Sequence, residues 1–115
     1  MDILIVKPQW GEKILAGEKT WEIRGSRCQR RGRIAIAYSK TAKKYGEVDM
    51  TDCIELTEEL WNANVSKHCL DLVPWDEVLK TYKTPHAWVM QNARKYEEPV
   101  PYAPRRGAVI WVKED

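Results

Sequence analysis

The sequence predicts an α+β fold: a small barrel-like sheet of about six strands, with two or three short helices at its mouth. Several short segments alternate between apolar and polar residues, and helical patterns separate some of them. The chain has 115 residues, with no internal repeat and no linker-like stretch. That length suits one domain with a modest core, so we expect residues 1–115 to form a single domain.

The N-terminal elements follow from local signals. Residues 3–6 are uniformly apolar and predict a buried strand. Pro8 suits the first turn of a helix, because its missing N–H would be unpaired there anyway, and Gly17 suits a C-terminal cap. These two signals predict a helix over residues 8–16. A short strand over about residues 19–24 is expected next.

The middle of the chain contains further segments that alternate with the two-residue period of a strand. Residues 25–32 form an Arg-rich loop between glycines. Residues 33–39 alternate as a strand that presents two alanines to one side and larger apolar residues to the other. We expect residues 40–46 to be a basic loop and residues 47–56 to be the next strand.

The second half contains helices and two further strands. Thr57, which precedes two glutamates, is a favourable helix start, and that helix is expected to end near Ser66. Pro99, Pro101 and Pro104 are expected to break regular structure between Glu98 and Arg106. The remaining predicted elements are a short helix over residues 74–82 and strands over residues 87–93 and 107–113.

Charge is strongly segregated behind a formal net charge of +2. Residues 24–46 contain eight basic residues and no acid, whereas residues 47–77 contain nine acids and one base. Such asymmetry favours one face that attracts an anion, although solvated charged loops stay open as the plainer interpretation. The basic residues that would form this electrostatic approach are Arg24, Arg27, Arg30, Arg31, Lys40, Lys43 and Lys44.

No signal in the sequence indicates a membrane, a metal or a cofactor. The N-terminal apolar run is four residues long, far short of a signal-peptide core or of the ~20 residues of a membrane span. Cys28, Cys53 and Cys69 are far apart and odd in number, and His68 beside Cys69 lacks metal-ligand spacing. We therefore expect free thiols in a reducing, cytoplasmic compartment, with no metal site, cofactor or membrane partner.

The densest polar stretch is residues 17–24. Glu22 and Arg24 share one face of a strand, and the intervening Ile23 points to the other face, into the core. Lys19 lies at the preceding helix-to-strand corner, where its long stem can swing to either side of the strand. Such a group can clamp a phosphate and read a base, or it can support proton transfer if burial shifts a pKa. A surface Glu22–Arg24 pair without a further role is the ordinary alternative.

The same stretch resembles a known family. Gly17, Lys19, Glu22 and Arg24 match the four marked positions of the G-x-K-x-x-E-x-R motif that the ASCH family carries behind its first helix. The resemblance covers nearly the whole chain and continues through residues 34–40, 46–48, 52–53, 87–89, 99–102 and 107–111. On these residues the chain is identified as a member of the ASCH family, within the PUA-like superfamily.

The resemblance implies a PUA-like fold, a small bent β-barrel with helices beside a cleft, and a role in RNA metabolism. Trp10 is the candidate for stacking on a base, with Tyr38 and Tyr45 as further candidates, while Trp21 and Trp111 are expected in the core. Carried over by position, the cleft residues would be Lys19, Glu22 and Arg24, with Lys7 and Trp10 beside them and Ser39 and Lys40 on the neighbouring strand end.

We therefore expect a domain that binds single-stranded RNA or a nucleotide in a basic cleft, with acceptance of DNA left open. One alternative is a small hydrolase, a ribonuclease or an amidohydrolase on a modified nucleoside, with Lys19 and Glu22 as its catalytic pair. In the family's amidohydrolase branch a Thr stands at the position of Glu22, so this chain lacks that nucleophile. A second alternative is a protein-interaction domain whose basic loop meets an acidic partner.

Overall fold

A computed structural model describes residues 1–107 and 110–114. The described chain contains six strands and four short helices, which confirms the α+β class. In chain order they are β1 (Asp2–Val6), α1 (Pro8–Leu15), β2 (Trp21–Arg24), β3 (Gly32–Tyr38), β4 (Lys43–Glu55), α2 (Glu58–Ala63), α3 (Val65–His68), α4 (Trp75–Thr81), β5 (His86–Pro101) and β6 (Trp111–Lys113).

The strands form one sheet in the order β2-β5-β4-β3-β1-β6. β1 and β3 run parallel, and the other neighbouring pairs run antiparallel. The pairing of β4 with β5 contains three register shifts, and local irregularities of this kind bend and twist long strands. The sheet accordingly curls into a half-barrel, which matches the predicted barrel-like sheet of about six strands.

Alternating side chains of β3 supply two different parts of the core. Ile34 and Ile36 pack in a large cluster together with α1 and the central strands. Ala35 and Ala37 pack in a smaller cluster on the opposite face, against Ile3. A third cluster joins β2 to α2, α4 and β5; its buried members are Trp21, Ile23, Leu56, Trp61, Val78 and Ala87.

The basic loop predicted over residues 40–46 is shorter in the structure, because β4 already begins at Lys43. Thr41 closes the turn: its hydroxyl donates to the Tyr38 carbonyl at 2.8 Å and accepts from the Lys43 backbone nitrogen at 3.2 Å. Lys43 and Lys44 therefore lie on a strand, where they are paired with β5.

The predicted break at the prolines is wrong for two of the three. β5 continues through Pro99 and ends at Pro101, and only Pro104 lies in irregular structure. The reason is the position of these residues in the sheet: β2 pairs with β5 only as far as Val89. Beyond Val89, β5 has a single strand neighbour within the described chain, and proline is tolerated on such an edge segment.

The remaining boundaries differ in detail from the predictions. Thr57 caps α2 by accepting a hydrogen bond from the Leu60 backbone nitrogen at 3.2 Å, but the predicted single helix is divided at Asn64 into α2 and α3. The strand predicted over residues 107–113 is observed as β6 alone, and residues 108–109 of it lie outside the described residues. Within residues 1–107 and 110–114, no helix has the length and apolar character needed to cross a membrane.

Candidate functional site

A cavity of about 390 Å³ lies between α1, the ends of β1 and β3, and β2. Six residues of its lining are ones that the sequence singled out: Lys7, Trp10, Lys19, Glu22, Arg24 and Ser39. The apolar lining includes Ile5, Val6 and Ile23 from the adjoining strands. Leu70 and Tyr82 complete the wall, and both were missed by the sequence analysis. We refer to this cavity as the cleft.

The turn from β1 into α1 places Lys7 and Trp10 on the rim. Lys7 is the extended residue before the helix, and its carbonyl accepts hydrogen bonds from the backbone nitrogens of Trp10 at 3.1 Å and Gly11 at 2.9 Å. Pro8 is the first helical residue, as predicted, because a missing N–H costs nothing there. Lys7 and Trp10 thus belong to one helical turn beside the cleft.

Lys19 is almost completely buried, with 2% of its surface exposed. Gly17 has a φ of +80°, which lets the chain reverse after α1, and the backbone nitrogens of Glu18 and Lys19 then bond to the carbonyl of Lys13. The ammonium nitrogen of Lys19 donates to the carbonyl of His68 at 2.5 Å and lies 5.1 Å from the centre of the Trp10 ring.

The environment of Lys19 lowers the pKa of its ammonium below the usual 10.5, mainly because burial disfavours the charged form. The nearby carboxylate of Glu22 opposes this shift, and the neighbouring positive charges of Lys13 and Arg24 add to it. Lys19 therefore releases its proton more readily than an exposed lysine does.

Glu22 and Arg24 form a pair that is largely shielded from solvent, with 7% and 18% of their side chains exposed. Arg24 directs Nε and one terminal nitrogen to the same oxygen, Oε2 of Glu22, at 3.0 and 2.9 Å. The same terminal nitrogen donates to the Ile5 carbonyl at 3.1 Å, and the guanidinium lies 5.5 Å from the centre of the Trp88 ring. This placement differs from the ordinary alternative of a surface pair.

Oε1 of Glu22 accepts no hydrogen bond from any residue that the structure describes. Because Glu22 lines the cleft, this oxygen is an acceptor for a donor group of a ligand. The hydroxyl of Ser39, at the end of β3, likewise has no partner within the described residues, while its backbone nitrogen bonds to the Val6 carbonyl at 2.8 Å.

The side chain of His68 packs within the fold, and its backbone carbonyl accepts the hydrogen bond from Lys19. Its Nε2 donates to the Trp61 carbonyl at 2.9 Å, and its Nδ1 accepts from the Leu70 backbone nitrogen at 3.0 Å, which defines a neutral ring. The ring stacks on Trp61 with 3.7 Å between centroids, and burial lowers the pKa of His68. These contacts fix the position of the His68 carbonyl, which accepts the hydrogen bond from the Lys19 ammonium. No motif in the sequence predicted that role.

Six of the seven basic residues expected to form the electrostatic approach do not line the cleft: Arg27, Arg30, Arg31, Lys40, Lys43 and Lys44. Arg30 pairs with Asp2 at 2.8 Å and lies 4.0 Å from the centre of the Trp111 ring, and Lys44 pairs with Glu114. Arg31 donates to the carbonyls of Cys28 and Arg30. Arg27, Lys40 and Lys43 are exposed.

The aromatic residues named in the sequence analysis also divide into one beside the cleft and others that pack elsewhere. Trp10 is partly buried beside the cleft, whereas Trp21 is buried in the core. Trp111 is only partly buried and stacks on Trp88 with 5.9 Å between centroids. Tyr38 and Tyr45 stack on each other with 3.8 Å between centroids, and neither ring lines the cleft.

The described residues contain no group of three or more His, Cys, Asp or Glu side chains able to hold a metal ion. The three cysteines are free thiols.

Comparison with known proteins identifies the family. The model of the ASCH domain family matches residues 4–100, and the chain belongs to that family. No curated protein matches the sequence. Among solved structures, that of ASCH from Zymomonas mobilis has a TM-score of 0.69 at 15% identity, covering 87% of this chain and 72% of that one. A Ser-to-Ala variant of the same protein has a TM-score of 0.77 at 13% identity, covering 99% and 87%. At these identities the likeness establishes the fold.

Proposed function

We propose that the protein binds single-stranded RNA, or a nucleotide derived from it, in the cleft. The observation that carries the proposal is the composition of the cleft: Lys7, Lys19 and Arg24 supply three positive charges against the single carboxylate of Glu22. An indole ring, Trp10, stands beside them. Cations next to an aromatic face suit a ligand that is both anionic and flat, as a nucleotide is.

Each group has a distinct place in this proposal. Lys7 is exposed on the rim and would meet a phosphate, whereas Lys19 and Arg24 are already engaged by protein groups and would set the positive potential of the interior. Trp10 would stack on the base, an interaction worth about 1–3 kcal/mol. Oε1 of Glu22 would accept from an exocyclic amine, and the Ser39 hydroxyl would bond to ribose or phosphate.

The volume of the cleft also supports a small ligand site. Its approximately 390 Å³ lies within the range of roughly 300–1,000 Å³ that is typical for pockets that enclose small molecules. The exposed cations Arg27, Lys40 and Lys43 lie outside the cleft and would attract the rest of an RNA strand. The cleft would then select a nucleotide while the surface holds the backbone.

A second candidate function, hydrolysis of RNA or of a modified nucleoside, is favoured by one specific observation. Lys19 is buried in the cleft with a lowered pKa, and Glu22 lies in the same cavity. A lysine with a lowered pKa has a larger unprotonated fraction near neutral pH than an ordinary lysine, so it can serve as a general base. In this case Glu22 would be the second group of an acid–base pair.

The test is a titration of fluorescently labelled, mixed-sequence single-stranded RNA, with and without Mg²⁺, in which bound and cleaved RNA are both resolved on gels. Wild type is compared with Lys7→Ala, Lys19→Met and the control Lys95→Ala, which removes an exposed charge from β5 outside the cleft. We expect wild type and Lys95→Ala to bind alike and Lys7→Ala to bind more weakly. A single-stranded DNA of the same sequence measures the preference for RNA.

The outcomes separate the candidates. An intact, shifted band supports binding without catalysis. Cleavage that Lys19→Met abolishes, while its RNA binding is retained, would assign Lys19 to catalysis and favour the hydrolase. If wild type neither shifts nor cleaves RNA, the polymeric RNA proposal fails, and modified nucleosides or an acidic protein partner would be tested next. Thermal melting of each variant shows that it is folded.

A further inference from the structure

A second cavity, of about 470 Å³, adjoins the cleft. Ile5 on β1 and Ser39, the residue that follows β3, line both cavities and form the boundary between them. The other side of the second cavity is formed by the turn after β3 and by the segment that follows β5. We refer to it as the adjoining pocket.

The adjoining pocket is built by a constrained turn. Lys40 and Ala42 have φ values of 67° and 54°, in the left-handed region that non-glycine residues seldom occupy. The backbone nitrogen of Tyr102 donates to the Ala42 carbonyl at 3.1 Å, which ties the two walls together. This turn displays Lys40 at the mouth of the pocket.

The lining combines cations with an apolar wall and includes no carboxylate. Lys40 and Arg105 are exposed, and neither forms an ion pair with any of the residues in the described part of the chain. Tyr102, Pro104 and Val112 supply the apolar surface. Burial raises the pKa of the Tyr102 phenol, so this hydroxyl remains a hydrogen-bond donor at neutral pH.

We propose that the adjoining pocket binds the nucleotide next to the one held in the cleft, so that the ligand is a chain of at least two nucleotides. Lys40 and Arg105 would contact its phosphate, and Tyr102 would pack against its base or ribose. Ser39, which lies between the cavities with an unpartnered hydroxyl within the described residues, would contact the linking phosphate. This inference rests on the proposed function and specifies that the substrate is polymeric.

The arrangement distinguishes an RNA strand from a free nucleotide. A single nucleotide would fill the cleft alone and would make no contact with Lys40 or Arg105 in the adjoining pocket. A strand of two nucleotides would use both cavities, and its second base would add a stacking contact. Such a contact strengthens binding by about 5- to 150-fold.

The experiment compares the four nucleoside 5′-monophosphates with the four homodinucleotides that carry the same 5′-phosphate, by calorimetry under one salt condition. The test variant is Lys40→Asn with Arg105→Ala, since asparagine tolerates the left-handed conformation of residue 40. The matched control is Lys95→Asn with Arg94→Ala, which removes one lysine and one arginine from an exposed part of β5. Inorganic phosphate, added as a competitor, tests for a simple anion site.

We expect the best dinucleotide to bind wild type at least about tenfold more tightly than its mononucleotide. The test variant should lose that gain and retain its affinity for the mononucleotide, and the control variant should keep both. If dinucleotide and mononucleotide bind wild type equally well, or if the test variant keeps the gain, the adjoining pocket is not a nucleotide site. Displacement of the dinucleotide by inorganic phosphate at equal concentration would also overturn the inference.

Failure of the proposed function gives a different result. In that case no mononucleotide and no dinucleotide binds wild type, and the inference falls together with the proposal. If mononucleotides bind in the cleft and the second nucleotide adds nothing, binding of nucleotides survives and only the polymeric substrate is lost. A Lys7→Ala variant, which should weaken binding of both ligands, verifies that the cleft is the site measured.

Discussion

The ammonium group of Lys19 is hydrogen-bonded to the main-chain carbonyl of His68, 49 residues further along the chain. A second bond joins the same two segments, from the backbone nitrogen of Thr20 to the carbonyl of Lys67 at 3.1 Å. These contacts attach α3 to the corner between α1 and β2. Lys19 of the family motif therefore lines the cleft and also holds α3 against the corner between α1 and β2.

Replacing Lys19 with Met should change how stability depends on pH. The pKa of Lys19 is below 10.5 in the folded protein, whereas an unfolded chain has a value near 10.5. Between those two values the unfolded chain holds one more proton, so the free energy of unfolding of wild type rises with pH by at most about 1.4 kcal/mol per unit. Lys19→Met lacks this contribution.

Urea unfolding of both proteins at pH 7.5, 8.5, 9.5 and 10.5, in the presence of a thiol reductant, measures the effect. The free energy of unfolding of wild type minus that of Lys19→Met should increase across this series. Parallel curves for the two proteins would show that burial does not lower the pKa of Lys19 in the way its surroundings indicate.

Arg24→Lys should destabilise the protein although the charge is retained. Arg24 uses two nitrogens to hold one oxygen of Glu22 and the carbonyl of Ile5, and lysine cannot reproduce this planar geometry. We expect a loss of about 1–3 kcal/mol in the free energy of unfolding, measured as a lower urea midpoint. Arg94→Lys, on an exposed part of β5, should stay within about 0.5 kcal/mol of wild type. Equal midpoints for Arg24→Lys and wild type would contradict the assigned hydrogen bonds.

Adjacent lysines on β4 provide a matched test of which cations contact RNA. Lys44 pairs with Glu114, whereas Lys43 is exposed and has no ion pair among the described residues. If RNA passes over this surface, Lys43→Ala should reduce the slope of log affinity against log salt by about 0.7, the value for one phosphate of a single strand. Lys44→Ala should leave the slope unchanged, because its ammonium is already engaged.

Affinity for the same labelled RNA at four salt concentrations gives both slopes. Equal reductions in the two variants would indicate that general charge, and not a specific contact, attracts the RNA.

The inner part of the cleft was predictable because its determinants are local. The alternation of residues 21–24 sends Ile23 into the core and keeps Glu22 with Arg24, and Gly17 supplies the reversal that brings Lys19 back toward them. Such patterns depend on neighbours in sequence, so they can be read without knowledge of the fold.

The parts that could not be predicted depend on distant segments. Leu70, Tyr82 and the carbonyl of His68 reach the cleft only because the region between β4 and β5 folds back against β2, and none of them belongs to a motif. In the same way, β5 tolerates Pro99 because β2 is short, a property of another strand. A proline in the sequence gives no information on which strands will lie beside it in the sheet.

Gly11→Ala should loosen the helix that carries the rim of the cleft. Alanine normally stabilises a helix interior relative to glycine by up to about 1 kcal/mol. Here the added methyl group would lie 2.3 Å from Cε1 of Tyr38 and 3.0 Å from Cγ2 of Val6, and the Tyr38 ring is itself held against Tyr45. Because this overpacking costs about 1–3 kcal/mol, we expect a net loss of stability in urea unfolding. The displaced helix should also weaken nucleotide binding.

Glu12→Ala, an exposed change on the same helix, is the control. A Gly11→Ala protein as stable as wild type would show that the Tyr38 ring can move aside freely.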